Sequence, residues 1–165
     1  MLEVIKNRHS IRKYTAEKVT KEDLIPLLRS AMQAPTAKNS QDWRFIAILN
    51  KEDLLAISGF PGYYAMFKEA AAAIIVMADT DKYPDDHYNY VNAGAACENV
   101  LLEAVNQGLG AVWCAIGPNA ERIKAFKNHF ALADNVLPIA AIALGYPNED
   151  KAFCDRFDET KISWR

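Results

Sequence analysis

The sequence predicts a protein of mixed helices and strands in which a central sheet is covered by helices on both faces. Four short segments are apolar along their whole length, which is typical of strands buried on both sides. Helical segments alternate with these strands along the chain. No repeat, low-complexity tract or glycine- and serine-rich linker interrupts the 165 residues, so we expect one domain over residues 1–165.

Local signals define the elements of the first half of the chain. Thr20 and Asp23 form a capping pattern at the start of a helix in which leucines recur at helical spacing, and Pro35 ends it. Two later segments are apolar throughout, and the second is rich in β-branched residues, so both are predicted to be buried strands. These signals predict helices over residues 2–7, 21–33 and 51–57 and strands over residues 43–49 and 72–78.

The second half is centred on a long helix with small residues at positions 93–96. Successive small residues permit close approach of another helix or of a planar ligand, and tight packing within the same subunit explains them equally well. Gly108-Leu109-Gly110 ends this helix, and Pro118 with Asn119 begins the next. The predicted elements are a helix over residues 88–107, a strand over 111–115, a helix from residue 118 and a strand over 137–144.

Composition and charge argue against several classes of protein. A net charge of −2 provides no general attraction to nucleic acid or to anionic membranes. No apolar run reaches the length of about 18 residues that a bilayer requires. The start of the chain lacks the pattern of a secretion signal, so we expect a cytoplasmic protein. Three cysteines without a CxxC spacing argue against a disulfide framework or a zinc site, and we expect no metal ion.

Two polar segments form a candidate ligand site. The first, Arg8-His9-Ser10-Ile11-Arg12-Lys13-Tyr14, places several cations and a hydroxyl within seven residues. The second, from Ala34 to Trp43, is a polar turn between an apolar helix and an apolar strand. A guanidinium beside a hydroxyl suits a phosphate monoester, because Arg offers a planar fork of donors and Ser adds a neutral one. The two segments together indicate a site for a phosphorylated cofactor, whereas the charge alone also fits a solvated basic face.

Four motifs follow one another along nearly the whole chain: Arg8-x-Ser10-x-Arg12, Ala34-Pro35-Thr36-x-x-Asn39-x-Gln41-x-Trp43, Gly94-Ala95-Ala96-x-x-Asn99 with Gly108-Leu109-Gly110-x-x-Trp113, and Gly145-Tyr146-Pro147 followed by Arg156. In this order they resemble the nitroreductase family of FMN-dependent oxidoreductases. The resemblance implies an α+β fold with a central mixed, mainly antiparallel sheet flanked by helices. It also implies a homodimer with FMN at the interface, in which the C-terminal tail wraps over the partner subunit.

The resemblance assigns the basic segment to the phosphate and to one edge of the flavin ring. Arg8 and Ser10 match positions that hold the phosphate, and His9 stands where the family often has a basic or polar residue. Arg156 matches the cation that completes the phosphate site, with Lys151 as the rival for that role. Arg12 matches the cation beside N1 and O2 of the flavin, and a surface salt bridge with Glu17 or Asp23 is the alternative.

The same resemblance places two further segments at the flavin. Pro35, Thr36, Asn39 and Gln41 match the turn that reaches the cofactor from the opposite protomer. Asp42 stands where the family usually has proline, so we expect a negative charge near the rim of the site and a less rigid loop. In the segment after the third strand, Ile116 and Gly117 match positions whose backbone amides approach the ring at N5 and O4.

The resemblance implies an enzyme in which the flavin carries the chemistry and no side chain acts as a general acid. Hydride would pass from NADH or NADPH through flavin N5 to a nitroaromatic, quinone or similar electrophile in a ping-pong cycle. No glycine-rich dinucleotide fingerprint is present, so the nicotinamide would be a transient substrate. The alternatives are another flavin reaction on the same fold, such as enoate reduction, dehydrogenation or dehalogenation, and a non-catalytic flavin-binding or storage module.

Overall fold

The computed structural model describes residues 1–165, which form four strands and five α-helices joined by loops and short 3₁₀ turns. Every predicted helix and strand is present, and each predicted end lies within two residues of the observed one. The strands are β1 (Trp43–Ile48), β2 (Ala72–Asp79), β3 (Gly110–Ala115) and β4 (Val136–Gly145). The helices are α1 (Glu3–Asn7), α2 (Lys21–Ala31), α3 (Lys51–Ser58), α4 (Asp86–Asn106) and α5 (Ala120–His129).

The four strands form one antiparallel sheet in the order β1-β2-β4-β3. The two longest strands, β2 and β4, therefore lie at its centre, and all eight residues of β2 are buried. The only parallel pairing is an isolated bridge between Ser10 and Ala111, on the outer side of edge strand β3. The prediction of a mainly antiparallel sheet flanked by helices is confirmed.

Helices cover both faces of the sheet, and each face has its own hydrophobic core. Ile74 and Val76 of β2 belong to a core that includes residues of α2 and α4. The alternate residues Ile75 and Met77 belong to a second core, shared with α3 and α5. Because successive side chains of a strand point to opposite faces, a strand between two cores must be apolar at every position. This alternation explains the continuous apolar runs in the sequence.

Side-chain caps fix where the helices begin. Thr20 and Asp23 form a reciprocal capping box at the start of α2, as the sequence predicts. At α5 the side chain of Asn119 accepts a hydrogen bond from the backbone of Arg122 at 3.0 Å. Helix α5 therefore begins at Ala120 and not at Pro118, because the capping residue itself has an extended backbone and the helix starts after it.

The small residues of α4 are divided between the interior and the surface. Ala93 and Ala96 are buried in the core between the sheet, α2 and α4. Gly94 and Ala95 are only half-buried, and a Cβ at Gly94 would lie 3.5 Å from the indole ring of Trp113 on β3. Packing within the subunit thus accounts for half of the small residues, while the other half faces a partly open surface.

Both ends of the chain leave large apolar side chains in solvent. In the tail that follows β4, Phe157 is 73% exposed and Trp164 is 80% exposed. At the other end of the chain, Leu2 just before α1 and Ile5 in α1 are also exposed. Val91 on α4 is a further exposed apolar residue, in the middle of the chain. None of the helices is both long enough and apolar enough to span a membrane.

Candidate functional site

The basic segment (residues 8–14) lies along the outer edge of β3 and is fixed by two glycine contacts. Ile11 donates its backbone N–H to β3 at 3.0 Å, and the hydroxyl of Tyr14 donates to the carbonyl of Ile11 at 2.7 Å. A Cβ at Gly110 would lie 2.7 Å from Ile11, and one at Gly145 would lie 2.8 Å from the Tyr14 ring. These two motif glycines therefore leave the space in which the side chains of the basic segment pack.

Glu149 secures the middle of the basic segment, a role that sequence reasoning missed. Its Oε1 accepts hydrogen bonds from the backbone N–H of Arg12 at 2.5 Å and of Lys13 at 3.2 Å. The bond from Arg12 is the main reason why the pKa of Glu149 lies below its usual value. Asn148 adds a backbone hydrogen bond to the carbonyl of Lys13 at 2.9 Å. The segment that follows Gly145-Tyr146-Pro147 therefore holds the backbone from which the Arg12 side chain extends.

Arg8, His9 and Arg156 line one cavity of about 410 Å³ between α1 and the C-terminal tail. The Nε of Arg8 lies 3.7 Å from the carboxylate of Glu98 on α4, and this pair is partly exposed. Asp155 is the one carboxylate among the residues that line the cavity. Two guanidiniums and an imidazole around one cavity form a donor set that fits a phosphate group.

Lys151 occupies a different place from Arg156. Its Nζ donates to the backbone carbonyl of Ser10 at 2.7 Å and lies 3.6 Å from Glu149. It lines a separate cavity, which Arg8 and Arg156 do not reach. Lys151 therefore holds the backbone at Ser10, whereas Arg156 is the tail cation that lines the same cavity as Arg8.

Arg12 lines a second cleft, beside β3, together with Arg122 of α5. Its only side-chain hydrogen bond runs from Nη1 to the carbonyl of Ser10 at 3.4 Å. Neither Glu17 nor Asp23 forms a salt bridge with it. Arg12 is therefore an exposed cation without an acidic partner, and the surface salt bridge considered as an alternative is absent.

The polar turn (residues 35–42) lies against α4 and has an unusual backbone. Lys38, Asn39 and Gln41 all have positive φ angles, of 53°, 52° and 47°. Gln41 donates from its backbone to the Thr36 hydroxyl and from its side chain to the Asn39 carboxamide, both at 3.1 Å. Non-glycine residues keep such a conformation only where their surroundings enforce it. Of the residues predicted to contact a ligand here, Pro35, Asn39 and Gln41 are exposed and Thr36 is half-buried.

Asp42 corrects one expectation about this turn. It is 1% exposed and lies beneath the turn, not at the rim of a site. Its Oδ1 accepts hydrogen bonds from the Ser40 hydroxyl at 2.7 Å and from the side-chain amide of Asn92 at 2.8 Å. The Oδ1 of Asn92 in turn accepts from the backbone N–H of Ala37 at 2.9 Å. The expectation that Asp42 loosens the loop is wrong, because this network ties the turn to α4.

The loop after β3 corrects a second expectation. The backbone N–H groups of Ile116 and Gly117 both donate to the carbonyl of Ile139, at 2.9 Å and 3.2 Å. They are therefore not free donors, because β4 continues to pair with the chain beyond the end of β3. A Cβ at Gly117 would lie 2.3 Å from the hydroxyl of Tyr90 on α4. The close approach that this glycine permits is to Tyr90.

The structure thus brings the predicted site residues into separate groups. No hydrogen bond or ion pair within the chain joins the polar turn to the basic segment. The basic segment itself opens on two spaces, the cavity at Arg8 and the cleft at Arg12. The predicted residues form the groups Arg8, His9 and Arg156; Arg12, whose cleft the unpredicted Arg122 also lines; and Pro35, Thr36, Asn39 and Gln41. Ser10 contributes its backbone carbonyl to Lys151, and the amides of Ile116 and Gly117 bond Ile139.

Comparison with known proteins gives consistent results. The family model described as "Nitroreductase family" matches residues 5–64 and 60–146. A protein of Archaeoglobus fulgidus named "Putative NADH dehydrogenase/NAD(P)H nitroreductase" is 37% identical over 166 residues, covering 98% of this chain and 95% of its own. The structure of an FMN-dependent nitroreductase from Clostridium difficile superposes with a TM-score of 0.90 at 28% identity, covering 99% of this chain and 98% of its own. A Desulfovibrio desulfuricans protein in complex with FMN superposes with a TM-score of 0.83 at 29% identity, covering 99% and 95%.

Proposed function

Because the chain belongs to the nitroreductase family, we propose that it is an FMN-dependent oxidoreductase that uses NADH or NADPH to reduce nitroaromatics, quinones or similar electrophiles. Bound FMN would accept a hydride at N5 from the nicotinamide and pass it to the acceptor in a ping-pong cycle. Residues 1–165 would form a single FMN-binding domain. The names of the Archaeoglobus relative and of the Clostridium difficile structure support both the electron donor and the cofactor.

The observation that carries the proposal is the way in which the basic segment presents its cations. Arg8 and His9 meet Arg156 in one cavity, which suits the phosphate of FMN. Ser10 lies between Arg8 and Arg12 in the sequence and matches a phosphate-binding position of the family, so its hydroxyl would contact the phosphate or the sugar chain next to it. The engagement of Lys151 with the Ser10 carbonyl favours Arg156 as the completing cation.

Arg12 would act by stabilising charge rather than by transferring a proton. It lies four residues beyond Arg8 in the segment and has no acidic partner that would neutralise it. Reduction of a flavin leaves negative charge around N1 and O2, and a fixed cation beside them favours the reduced form. Such an interaction is stronger in a site from which water is excluded than in bulk solvent. Glu149 contributes by holding the backbone of Arg12.

We further propose a homodimer in which the polar turn of one subunit completes the site of the other. The absence of any hydrogen bond or ion pair between the turn and the basic segment within one chain supports this arrangement. The exposed apolar side chains of α1, α4 and the tail provide the surface, and the tail would wrap over the partner. A cytoplasmic location fits the free cysteines, two of which are buried.

The first experiment is the visible spectrum of freshly purified protein, followed by anaerobic addition of NADH or NADPH. We expect flavin absorbance bands that bleach with the nicotinamide and return when a nitroaromatic or a quinone is added. Bands that stay unbleached with both donors would contradict the oxidoreductase and favour a binding module. A colourless protein that also fails to take up added FMN would contradict the cofactor.

The phosphate assignment has its own test in Arg8→Ala. We expect this variant to lose FMN on desalting, because the charge-assisted hydrogen bonds to the phosphate are lost. Arg29→Ala removes the same charge from an exposed position on α2 and serves as the matched control. FMN retention equal to that of the control would place the phosphate elsewhere.

A further inference from the structure

The cleft shared by Arg12 and Arg122 has the features of an anion site distinct from the cavity at Arg8. Its volume is about 290 Å³, and the aromatic side chains of Tyr63 and Trp113 also line it. No acidic residue lines the cleft, and neither guanidinium forms a salt bridge with a carboxylate. Two unneutralised guanidiniums beside aromatic rings suit a planar molecule that carries an oxyanion.

Arg122 is held in the cleft by a specific fit to the backbone. Its Nη1 donates to the carbonyl of Ala115 at 3.2 Å. A Cβ at Gly62 would lie 2.9 Å from its Nε, and Gly62 has a φ of +127°, a conformation that side chains other than glycine rarely adopt. Gly62 therefore leaves the space that the guanidinium occupies. Arg122 makes these contacts without a ligand, which reduces the entropy that binding would cost.

The charges of both arginines affect the pKa of the Cys114 thiol. Burial raises the pKa of Cys114 to about 11, while Arg12 and Arg122 each act in the opposite direction. The same end of β3 is held by the Tyr64 hydroxyl, which donates to the carbonyl of Ala115 at 2.7 Å. The wall of the cleft is thus held by hydrogen bonds at this end of β3 and lies beside two guanidiniums.

We propose that this cleft binds the oxyanion of the molecule that exchanges a hydride with FMN, and that Arg122 selects substrates that carry one. The inference rests on the proposed function, which assigns Arg12 to N1 and O2 of the flavin and so leaves Arg122 as the guanidinium of the cleft that is available to the substrate. The favoured ligand is a single-ring acceptor with a carboxylate or sulfonate, because the volume lies at the lower end of small-molecule sites. The pyrophosphate of NADH or NADPH has the same chemistry, so the experiment separates acceptor from donor.

The acceptor test compares 4-nitrobenzoate with 4-nitrobenzamide, which have the same shape and differ in charge. We expect Arg122→Gln in the FMN-loaded protein to lower the ratio of their kcat/KM values by about tenfold or more, the loss typical of a charge-assisted hydrogen bond. Using the ratio removes the intrinsic difference in reactivity between the two nitro compounds. Lys124→Gln removes the same charge from an exposed position of α5 outside the cleft and should leave the ratio unchanged. Arg122→Lys should give an intermediate ratio, since it keeps the charge and loses the planar fork.

An equilibrium measurement provides a second readout that does not depend on turnover. Benzoate and benzamide are titrated into the oxidised, FMN-loaded protein and followed by the flavin absorbance. We expect benzoate to bind the parent protein more tightly than benzamide, and Arg122→Gln to abolish the difference. Gly62→Ala should reproduce this loss without removing a charge, because the new Cβ displaces the guanidinium. Its melting temperature is compared with that of the parent to establish that it folds.

Several outcomes would overturn the inference. Equal effects of Arg122→Gln on both nitro compounds, or a change confined to FMN affinity or to the flavin reduction potential, would make the cleft part of the flavin site. A fall confined to the rate at which NADH or NADPH bleaches the flavin would reassign the oxyanion to the donor. Failure of the parent protein to bleach with either donor is a different result, because it contradicts the proposed function itself.

Discussion

The buried carboxylate of Asp42 provides the sharpest test of how the polar turn is held. Replacing Asp42 by alanine removes the acceptor shared by the Ser40 hydroxyl and the Asn92 amide. Asn92 is only 2% exposed, so its amide keeps no partner except the Ser40 hydroxyl at 3.4 Å and cannot bond water in place of the carboxylate. The Oδ1 of Asn92 also accepts the backbone N–H of Ala37, so the carboxylate that holds Asn92 supports the whole turn. We expect Asp42→Ala to destabilise the protein and to loosen the turn.

The magnitude follows from two opposing contributions. Hydrogen bonds to a charged acceptor are worth about 1.5–3 kcal/mol each, and Asp42→Ala removes two of them. Against this, the Oδ2 of Asp42 is buried without a partner, so its removal relieves a desolvation penalty. We expect the free energy of unfolding to fall by about 2–3 kcal/mol, or the melting temperature by about 4–12 °C for a chain of this size. Asp42→Asn keeps one acceptor oxygen and should stay within about 1 kcal/mol of the parent.

Urea unfolding of the FMN-free protein, followed by far-ultraviolet circular dichroism, measures these differences. Asp134→Ala is the matched control, because Asp134 is exposed and its carboxylate makes no hydrogen bond or ion pair. In the FMN-loaded protein the same two variants report on the turn itself, and Asp42→Ala alone should weaken FMN binding. If Asp42→Ala unfolds at the same urea concentration as Asp134→Ala, the network beneath the turn does not stabilise the fold and our reading of it fails.

Three further predictions address the site and the scaffold. Arg12→Ala should keep its FMN on desalting and yet reduce acceptors at least about tenfold more slowly in steady-state assays; turnover equal to that of the parent would remove Arg12 from the flavin edge. Gly145→Ala should lower the free energy of unfolding by about 1–3 kcal/mol in urea titrations, because its Cβ would lie 2.8 Å from the Tyr14 ring. A variant as stable as the parent would show that the Tyr14 ring moves aside without strain. The hydrogen bond from Asn50 lowers the pKa of Asp53 below its usual value. The stabilisation that Asp53 provides is therefore complete above the unfolded-state pKa of about 4, and it is lost as the pH falls through the lower folded-state pKa. Asp53→Asn should therefore reduce the loss of stability seen below about pH 4 in acid-denaturation curves, and an unaltered curve would contradict this.

The sequence predicts the elements of the fold well because burial and capping are local properties. A strand between two cores must be apolar at every position, and β2 is buried throughout its length for this reason. The start of α2 is also predicted, since Thr20 and Asp23 lie three residues apart and satisfy each other. At α5 the local signal is ambiguous, because Pro118 and Asn119 both favour a helix start and only the observed cap decides between them.

Contacts between distant parts of the chain account for what sequence reasoning missed or misjudged. The bond between Glu149 and Arg12 joins residues 137 positions apart, and that between Asp42 and Asn92 joins residues 50 positions apart. An acidic residue in a polar loop carries no local sign of such a partner, so Asp42 was expected at a rim. The same holds for the amides of Ile116 and Gly117, which the resemblance directs to the flavin, since only the sheet order brings the Ile139 carbonyl to them.

Four glycines are visible in the sequence, but their role depends on contacts with distant parts of the chain. At four positions the missing Cβ leaves space for a side chain from another element, and at three of them that side chain belongs to the basic segment or is Arg122. Such glycines are usually explained by a close approach of backbone to ligand, but here the neighbour is another part of the same chain. The pairs are Gly110 with Ile11, Gly145 with Tyr14, Gly62 with Arg122, and Gly117 with Tyr90. Packing against glycine therefore helps to position the basic segment and Arg122, and the guanidiniums of Arg12 and Arg122, which have no acidic partner, are available to a ligand.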